Sequence, residues 1–234
     1  MQRSTLKFNF ENQDDMKELN IAGVMITCPG REQELSATLM NLRQGGDKLN
    51  RQLRLHLQKD ETTFARRQER QEHNSVAALI QGLSRFPEAE VLLFFEDDLL
   101  FNQHLVWNLQ RWSPLRAEVR PVNGLPWYMF GSLYDPTVNE LTMREQENYF
   151  IADPQAVYGS QAFVMSRAMA EYFVAHWWEV EGMQDIKMSR LAARLGPIYY
   201  HLPSLVQHVG VKSTWTDDSR FHETKIFDRD WRAQ

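Results

Sequence analysis

The stretch 91-VLLFFEDDLLF-101 decides how this chain is interpreted. Five apolar residues lead directly into three consecutive carboxylates, Glu96, Asp97 and Asp98, after which apolar residues resume. The apolar run predicts a fully buried strand. A simple surface turn would mix in Gly, Asn or Ser instead of three acids. We therefore expect something positive to lie against these carboxylates.

The segments before this strand predict an alternation of strands and helices. The stretch 21-IAGVMIT-27 indicates a short buried strand, and a Cys-Pro-Gly turn and a helix over 32–46 follow it. A second strand is predicted at 53–58, and a helix over 75–86 ends at Pro87, just before the central strand. A strand, a tight turn and a helix are the opening of an α/β unit. We divide the chain into a polar lead-in (1–20), one α/β domain (21–215) and a tail (216–234) that is a possible lid.

The bulk composition excludes several classes of protein. The chain has 234 residues and a net charge of −5, which argues against a general polyanion binder. The single cysteine, Cys28, allows no internal disulfide and favours a reducing compartment. No apolar run is long enough to span a membrane, and the N-terminus lacks the apolar core of a signal peptide. We expect a cytoplasmic protein.

The position of the three acids predicts a ligand site. Open α/β sheets bind ligands at the carboxyl ends of their strands. Mg²⁺ and Mn²⁺ prefer oxygen ligands such as carboxylates, and an ion held here would in turn hold a diphosphate. The acids alone leave another interpretation open, which is an exposed acidic turn or a cluster at the start of a helix.

Four stretches in order resemble the GT-A glycosyltransferases, enzymes that use a nucleotide-sugar donor. They span about four-fifths of the chain and are 27-TCPGR-31 with its following helix, 91-VLLFFEDDLLF-101, 159-GSQAFVMSR-167 and 184-QDIKMSRLAARLGPIYYHLPSLVQHVGVKST-214. The resemblance implies a single GT-A (Rossmann-like) domain with a mixed, mostly parallel central sheet flanked by helices. The second stretch corresponds to the Asp-x-Asp motif of this family. It begins here with Glu96 instead of Asp, which leaves the role of that residue open.

The resemblance also implies a role for individual residues. Asp98 and His208 would bind Mn²⁺ or Mg²⁺, and Asp185 would be the general base. The donor would contact Thr27, Pro29, Arg31, Asn74, Glu96, Asp97, Lys212 and Ser213. The acceptor side would include Gly159, Ser160 and Gln161.

The implied reaction is metal-dependent transfer of a sugar from a UDP-sugar to a hydroxyl group, with inversion; retention stays open. The acceptor could be a glycan, a protein, a small molecule or a modified nucleobase. Trp177, Trp178 and Trp215 are candidates for stacking against its rings. The alternatives are a non-catalytic nucleotide-sugar or glycan-binding module and a nucleotidyltransferase. A metal-dependent hydrolase would need more His and Asp ligands than we can assemble.

Overall fold

The structure, a computed structural model, describes residues 18–116, 125–136, 148–157, 159–210 and 223–234. Two predicted donor contacts, Lys212 and Ser213, lie outside the described residues. The same is true of Trp215 and of most of the lead-in.

Across the described residues, seven strands form one sheet in the order β2-β1-β3-β7-β5-β8-β6. Five of them run in one direction, while β7 and β6 are antiparallel to their neighbours. The predicted α/β architecture with a mixed, mostly parallel sheet is confirmed. The strands are β1 Ile21–Thr27, β2 Arg54–Lys59, β3 Val91–Phe95, β5 Phe130–Ser132, β6 Tyr149–Ala152, β7 Ala162–Ser166 and β8 Ile198–His201.

The helices within these ranges are α1 Glu32–Gln44, α2 Lys48–Gln52, α3 Arg67–Arg85, α4 Leu105–Arg111, α5 Arg167–His176 and α6 Gln184–Ala192. The prediction was wrong about the start of α3, which lies eight residues before position 75. Its first two turns are polar, so they lack the apolar periodicity that marks a helix, and Gln68 instead donates a hydrogen bond to Glu72 one turn later (2.8 Å). None of the helices in the described ranges is both long and apolar enough to cross a bilayer.

The core lies on both faces of the sheet. All five residues of β3 are buried, and they alternate between two apolar layers: Leu92 and Phe94 face one layer, while Leu93 and Phe95 face the other. The strand is thus covered on both sides, which explains its uninterrupted apolar sequence. Its central place in the sheet fixes the position of the acids that follow it.

A second, two-stranded sheet follows the acids. The strands β4 (Leu99–Phe101) and β9 (Val206–His208) pair antiparallel, with Leu99 opposite His208. Both strands are only three residues long and carry no periodic pattern, so the sequence did not predict their pairing. This pairing brings His208 to the acids across 110 residues of chain.

The described part of the tail, 223–234, is fixed to the body of the protein. The side-chain amide of Asn102 donates to the carbonyls of Asp228 and Trp231 (both 2.8 Å), and Trp107 Nε1 donates to the carbonyl of Ala233 (3.0 Å). These bonds hold the end of the chain against α4. The lid was predicted for 216–234. Residues 216–222 of this segment lie outside the described residues.

Candidate donor, metal and acceptor site

The ends of β1 and β3 bring the first candidate residues together. The two strands are parallel neighbours, with Met25 opposite Phe95, so Thr27 lies beside the acids. Thr27 Oγ1 donates to Asp97 Oδ2 (2.5 Å), and the amide of Asn74 donates to the carbonyl of Thr27 (3.3 Å). Because α3 begins at Arg67, Asn74 lies within the helix, whereas the predicted helix over 75–86 would have placed this residue just before its start.

Arg31 supplies a positive charge to the acids. This side chain follows β1, beyond the exposed turn that contains Pro29. Its Nε donates to Asp97 Oδ1 (2.7 Å), and its Nη2 donates to Asp98 Oδ2. Arg31 was predicted to contact the nucleotide-sugar donor, and this double ion pair was not predicted.

His208 is the second partner of Asp98. Its Nε2 lies 3.1 Å from Asp98 Oδ2, and both side chains are buried. Burial opposes the charge of His208, but the hydrogen bond and the charge of Asp98 outweigh it and raise the pKa of His208. Burial likewise opposes ionisation of Asp98, yet His208 and Arg31 together lower the pKa of its carboxyl. Both shifts favour the charged forms of the two side chains.

The atoms around Asp98 fit a divalent cation. A carboxylate and an imidazole form a suitable donor set for Mn²⁺. Asp98 Oδ1 is buried and has no hydrogen-bond partner among the described residues. A Cβ at Gly210 would lie 2.3 Å from Asp98 Oδ2 and 2.7 Å from His208 Nε2, so only glycine leaves these atoms open. No cluster of three or more His, Cys, Asp or Glu side chains in the described ranges could hold a metal, so further ligands would come from elsewhere.

Glu96 is held by neutral groups instead of cations. Ser160 Oγ donates to Glu96 Oε1 (2.6 Å), and Gln184 Nε2 donates to the same oxygen (3.0 Å). Gln184 also contacts Ser160 Oγ and Ser75 Oγ, so a buried polar chain leads from β3 to α3. Burial and then the charge of Asp98 raise the pKa of Glu96 to about 7.

Asp185 lies in the first turn of α6, directly after Gln184. Its carboxylate accepts a hydrogen bond from the backbone of Gly159 at Oδ2 (3.0 Å), and 8% of the residue is exposed. The φ of +80° at Gly159 is one that other residues rarely adopt, and a Cβ there would lie 2.2 Å from Gln161 Oε1. The structure thus brings Asp185 and the predicted acceptor residues to one edge of the sheet.

The same edge is reached by β7, which carries the acceptor segment to the acids. The strand is antiparallel to β3, with Phe95 opposite Ala162, and the backbone of Glu96 donates to the carbonyl of Gln161 (3.0 Å). We call Thr27, Arg31, Asp97, Asp98 and His208 the donor half of the site. Glu96, Ser160, Gln184 and Asp185 form the candidate acceptor half; Glu96 was predicted as a donor contact, but its hydrogen bonds come from Ser160 and Gln184.

The sequence reasoning missed three residues of the site. Thr38 of α1 donates to the carbonyl of Asp97 (2.7 Å) and accepts from the backbone of Leu99 (2.9 Å), so it fixes the backbone of the motif. The other two are Gln184 and Gly210. Gln184 could have been noticed as a buried amide beside an acid at a helix start; Thr38 and Gly210 carry no local signal.

The candidate ring-stacking residues differ in exposure. Trp177 is fully buried, whereas Trp178 is 58% exposed. The ring of Trp178 lies 4.7 Å from that of His73, which in turn lies 4.3 Å from Phe64. Of the two tryptophans, only Trp178 is exposed.

Comparisons with known proteins give only distant likenesses. No protein-family model matches the chain, and no match was found among curated proteins. A glycosyltransferase involved in the glycosylation of the major capsid of PBCV-1 is similar over 82% of this chain and 94% of that chain, with 10% identity and a TM-score of 0.48. The inositol-1-phosphate CTP transferase from T. maritima is similar over 80% and 86%, with 11% identity and a TM-score of 0.38. The function must therefore be argued from the site.

Proposed function

We propose that this protein is a metal-dependent glycosyltransferase that moves a sugar from a UDP-sugar to a hydroxyl acceptor with inversion. One observation carries the proposal. Asp98 and His208, 110 residues apart in sequence, meet at 3.1 Å at the carboxyl end of the central strand, beside Thr27 and Arg31. Open α/β sheets bind nucleotides at this edge.

The donor half would bind the nucleotide diphosphate. Asp98 and His208 would hold Mn²⁺ or Mg²⁺, which when bound stabilises the charge of the leaving diphosphate. Thr27 and Arg31 line the same strand ends and offer a hydroxyl and a guanidinium to ribose or phosphate oxygens. Lys212 and Ser213 remain proposed phosphate contacts on the sequence resemblance alone.

The acceptor half would activate the attacking hydroxyl. Asp185 would take the proton of the acceptor hydroxyl. The oxygen of that hydroxyl would form a bond to the anomeric carbon as the bond from this carbon to the diphosphate oxygen breaks. Gly159 orients Asp185 by donating to Oδ2. A single displacement of this kind inverts the anomeric centre.

The acceptor is proposed only by class: a glycan, a protein, a small molecule or a modified nucleobase. The exposed ring of Trp178 offers one surface against which an acceptor ring could stack. The single cysteine is compatible with a cytoplasmic location.

A non-catalytic nucleotide-sugar-binding module is the second candidate. The double ion pair of Arg31 with Asp97 and Asp98 favours it, because a side chain of the protein already compensates the two acids. Such a module would bind the nucleotide without breaking the glycosidic bond.

Release of UDP tests the proposal directly. The protein would be incubated with a panel of UDP-sugars and Mn²⁺, with and without EDTA, and free UDP measured. We expect slow UDP release from one sugar, as water replaces the acceptor, and its loss with EDTA. Nucleotide binding without any release, even when acceptors of all four classes are added, would favour the non-catalytic module.

A further inference from the structure

The cation that lies against Asp98 in this structure is Arg31. We propose that Arg31 is a built-in competitor of the divalent cation: it pairs with Asp97 and Asp98 while the metal is absent and is displaced from Asp98 when the metal binds. This inference rests on the metal dependence proposed above. It adds the exchange of Arg31 for the metal at Asp98.

The contacts of Arg31 and His208 converge on one oxygen. Arg31 Nη2 and His208 Nε2 both contact Asp98 Oδ2, the latter at 3.1 Å. A metal ion coordinated by Asp98 and His208 would need this oxygen or the neighbouring Oδ1. The guanidinium and the ion would then lie within a few ångströms of each other as like charges, and they cannot both keep this position.

The need for such a counter-ion follows from burial. Asp97 and Asp98 are 4% and 5% exposed, and a buried carboxylate without a partner strongly destabilises a fold. Arg31 compensates both at once, since its Nε contacts Asp97 and its Nη2 contacts Asp98. Arg31 thus lowers the cost of burying these two carboxylates in the metal-free protein.

Displacement leaves Arg31 close to the diphosphate. The guanidinium is a planar fork that binds phosphate oxygens through two hydrogen bonds. Because Arg31 follows β1 at the edge where the donor would bind, a guanidinium released from Asp98 would be available to the phosphates. Removal of Arg31 should therefore strengthen the binding of the bare metal but weaken the binding of the nucleotide with metal.

Calorimetry on three proteins separates these effects: the wild type, Arg31→Gln and the control Arg70→Gln. Arg70 likewise pairs with a buried aspartate, since its Nη2 and Nε both contact Asp60 Oδ2 (2.6 and 2.8 Å), and neither residue contacts the three acids. Each protein would be titrated with Mn²⁺ alone and then, at saturating Mn²⁺, with UDP. We expect Arg31→Gln to bind Mn²⁺ about tenfold more tightly and UDP more weakly than the wild type, with Arg70→Gln close to the wild type in both.

The possible outcomes distinguish this inference from the proposed function. Equal or weaker Mn²⁺ binding by Arg31→Gln, in a wild type that does bind Mn²⁺, would overturn the role of Arg31 and leave the glycosyltransferase proposal intact. Absence of Mn²⁺ binding in all three proteins, with and without UDP, would overturn the metal site itself.

If Arg31→Gln does not fold, the wild type can still decide the question. The Nε–H signal of Arg31 would be followed by NMR in protein labelled with ¹⁵N-arginine, during titration with diamagnetic Mg²⁺. We expect the signal to shift and to exchange faster with solvent as the ion pair opens. An unchanged signal at Mg²⁺ concentrations that saturate binding would refute the exchange.

Discussion

Three adjacent acids are compensated in two different ways. In the donor half, Asp97 and Asp98 both pair with the cation Arg31, and Asp98 also contacts His208. In the acceptor half, Glu96 faces the neutral donors Ser160 and Gln184. The pKa of Asp98 is lowered and that of Glu96 is raised to about 7, while at Asp97 burial outweighs Thr27 and Arg31 and raises the pKa.

This difference in partners suits the two halves to different roles. A cation paired with a carboxylate can be replaced by another cation, so the donor half is suited to exchange a side chain for a metal. Neutral hydrogen bonds to a buried acid have no such replacement, so the acceptor half is suited to hold a fixed geometry next to Asp185. Four changes would break or sharpen this contrast.

The largest effect is expected from Asp185→Asn. The amide keeps the size of the side chain but cannot accept a proton, so turnover should fall by about 10²–10⁴-fold. Because Asp185 belongs to the acceptor half, UDP affinity should stay within about twofold of the wild type, taken as the scatter of a neutral substitution. The measurements are steady-state UDP release and calorimetry. A parallel loss of UDP binding would show that the halves are not separate.

The next effect is expected from Asp98→Ala. Loss of a proposed metal ligand should weaken the binding of UDP in Mn²⁺ by at least about 100-fold, measured by calorimetry. The matched control is Asp60→Ala, which removes another buried aspartate paired with an arginine. Equal weakening in both variants would mean that the loss reflects general damage to the fold.

Two histidines extend the contrast to pH. His208 has a carboxylate partner, whereas buried His201 donates from Nδ1 to the carbonyl of Pro203 (2.7 Å), and burial lowers its pKa to about 4. Below the usual histidine pKa of about 6.5, the unfolded chain binds a proton at this position that the folded chain does not. The contribution of His201 to stability is therefore complete above about pH 6.5 and is lost as the pH falls toward 4.

Urea unfolding at about pH 7 and about pH 4.5 tests this sign. Between about pH 7 and about pH 4.5, the free energy of unfolding of the wild type should fall by about 2–3 kcal/mol more than that of His201→Phe. The rings of Trp112 and Trp231 flank this position, at 5.3 and 5.4 Å, and can pack against phenylalanine. An identical pH dependence in the two proteins would contradict the lowered pKa.

The smallest effect is expected from Gln184→Leu. The change removes the hydrogen bonds to Glu96 and Ser75 from a fully buried position, so the free energy of unfolding should fall by about 1–3 kcal/mol. Gln68→Leu on the exposed start of α3 serves as the control and should stay within about 0.5 kcal/mol of the wild type. Urea denaturation measures both. A stability equal to that of the control would show that the acceptor half does not depend on this polar chain.

The sequence predicted best where burial imposes a pattern. The bounds of β1 and β3 were predicted correctly because both strands are covered on their two faces. The start of α3 was missed because its exposed first turns are polar, and β4 and β9 were missed because three residues cannot show a period. Such elements form because their tertiary neighbours are in place.

The site follows the same division. The acids after β3 indicate a charged site, although on their own they also fit an exposed acidic turn or a cluster at the start of a helix. The partners of these acids are not local: Arg31 lies beyond β1 and Gln184 begins α6, so their roles depend on which strand ends and helix starts meet. A pattern along the chain does not show which strand ends and helix starts lie side by side in the fold.

The most direct test of the central claim is a calorimetric titration of UDP into the wild-type protein in Mn²⁺, repeated in Mg²⁺ and in EDTA. The account predicts binding that requires the divalent cation and disappears with EDTA. UDP affinity that is unchanged by EDTA, or no binding of UDP in any of the three buffers, would contradict it.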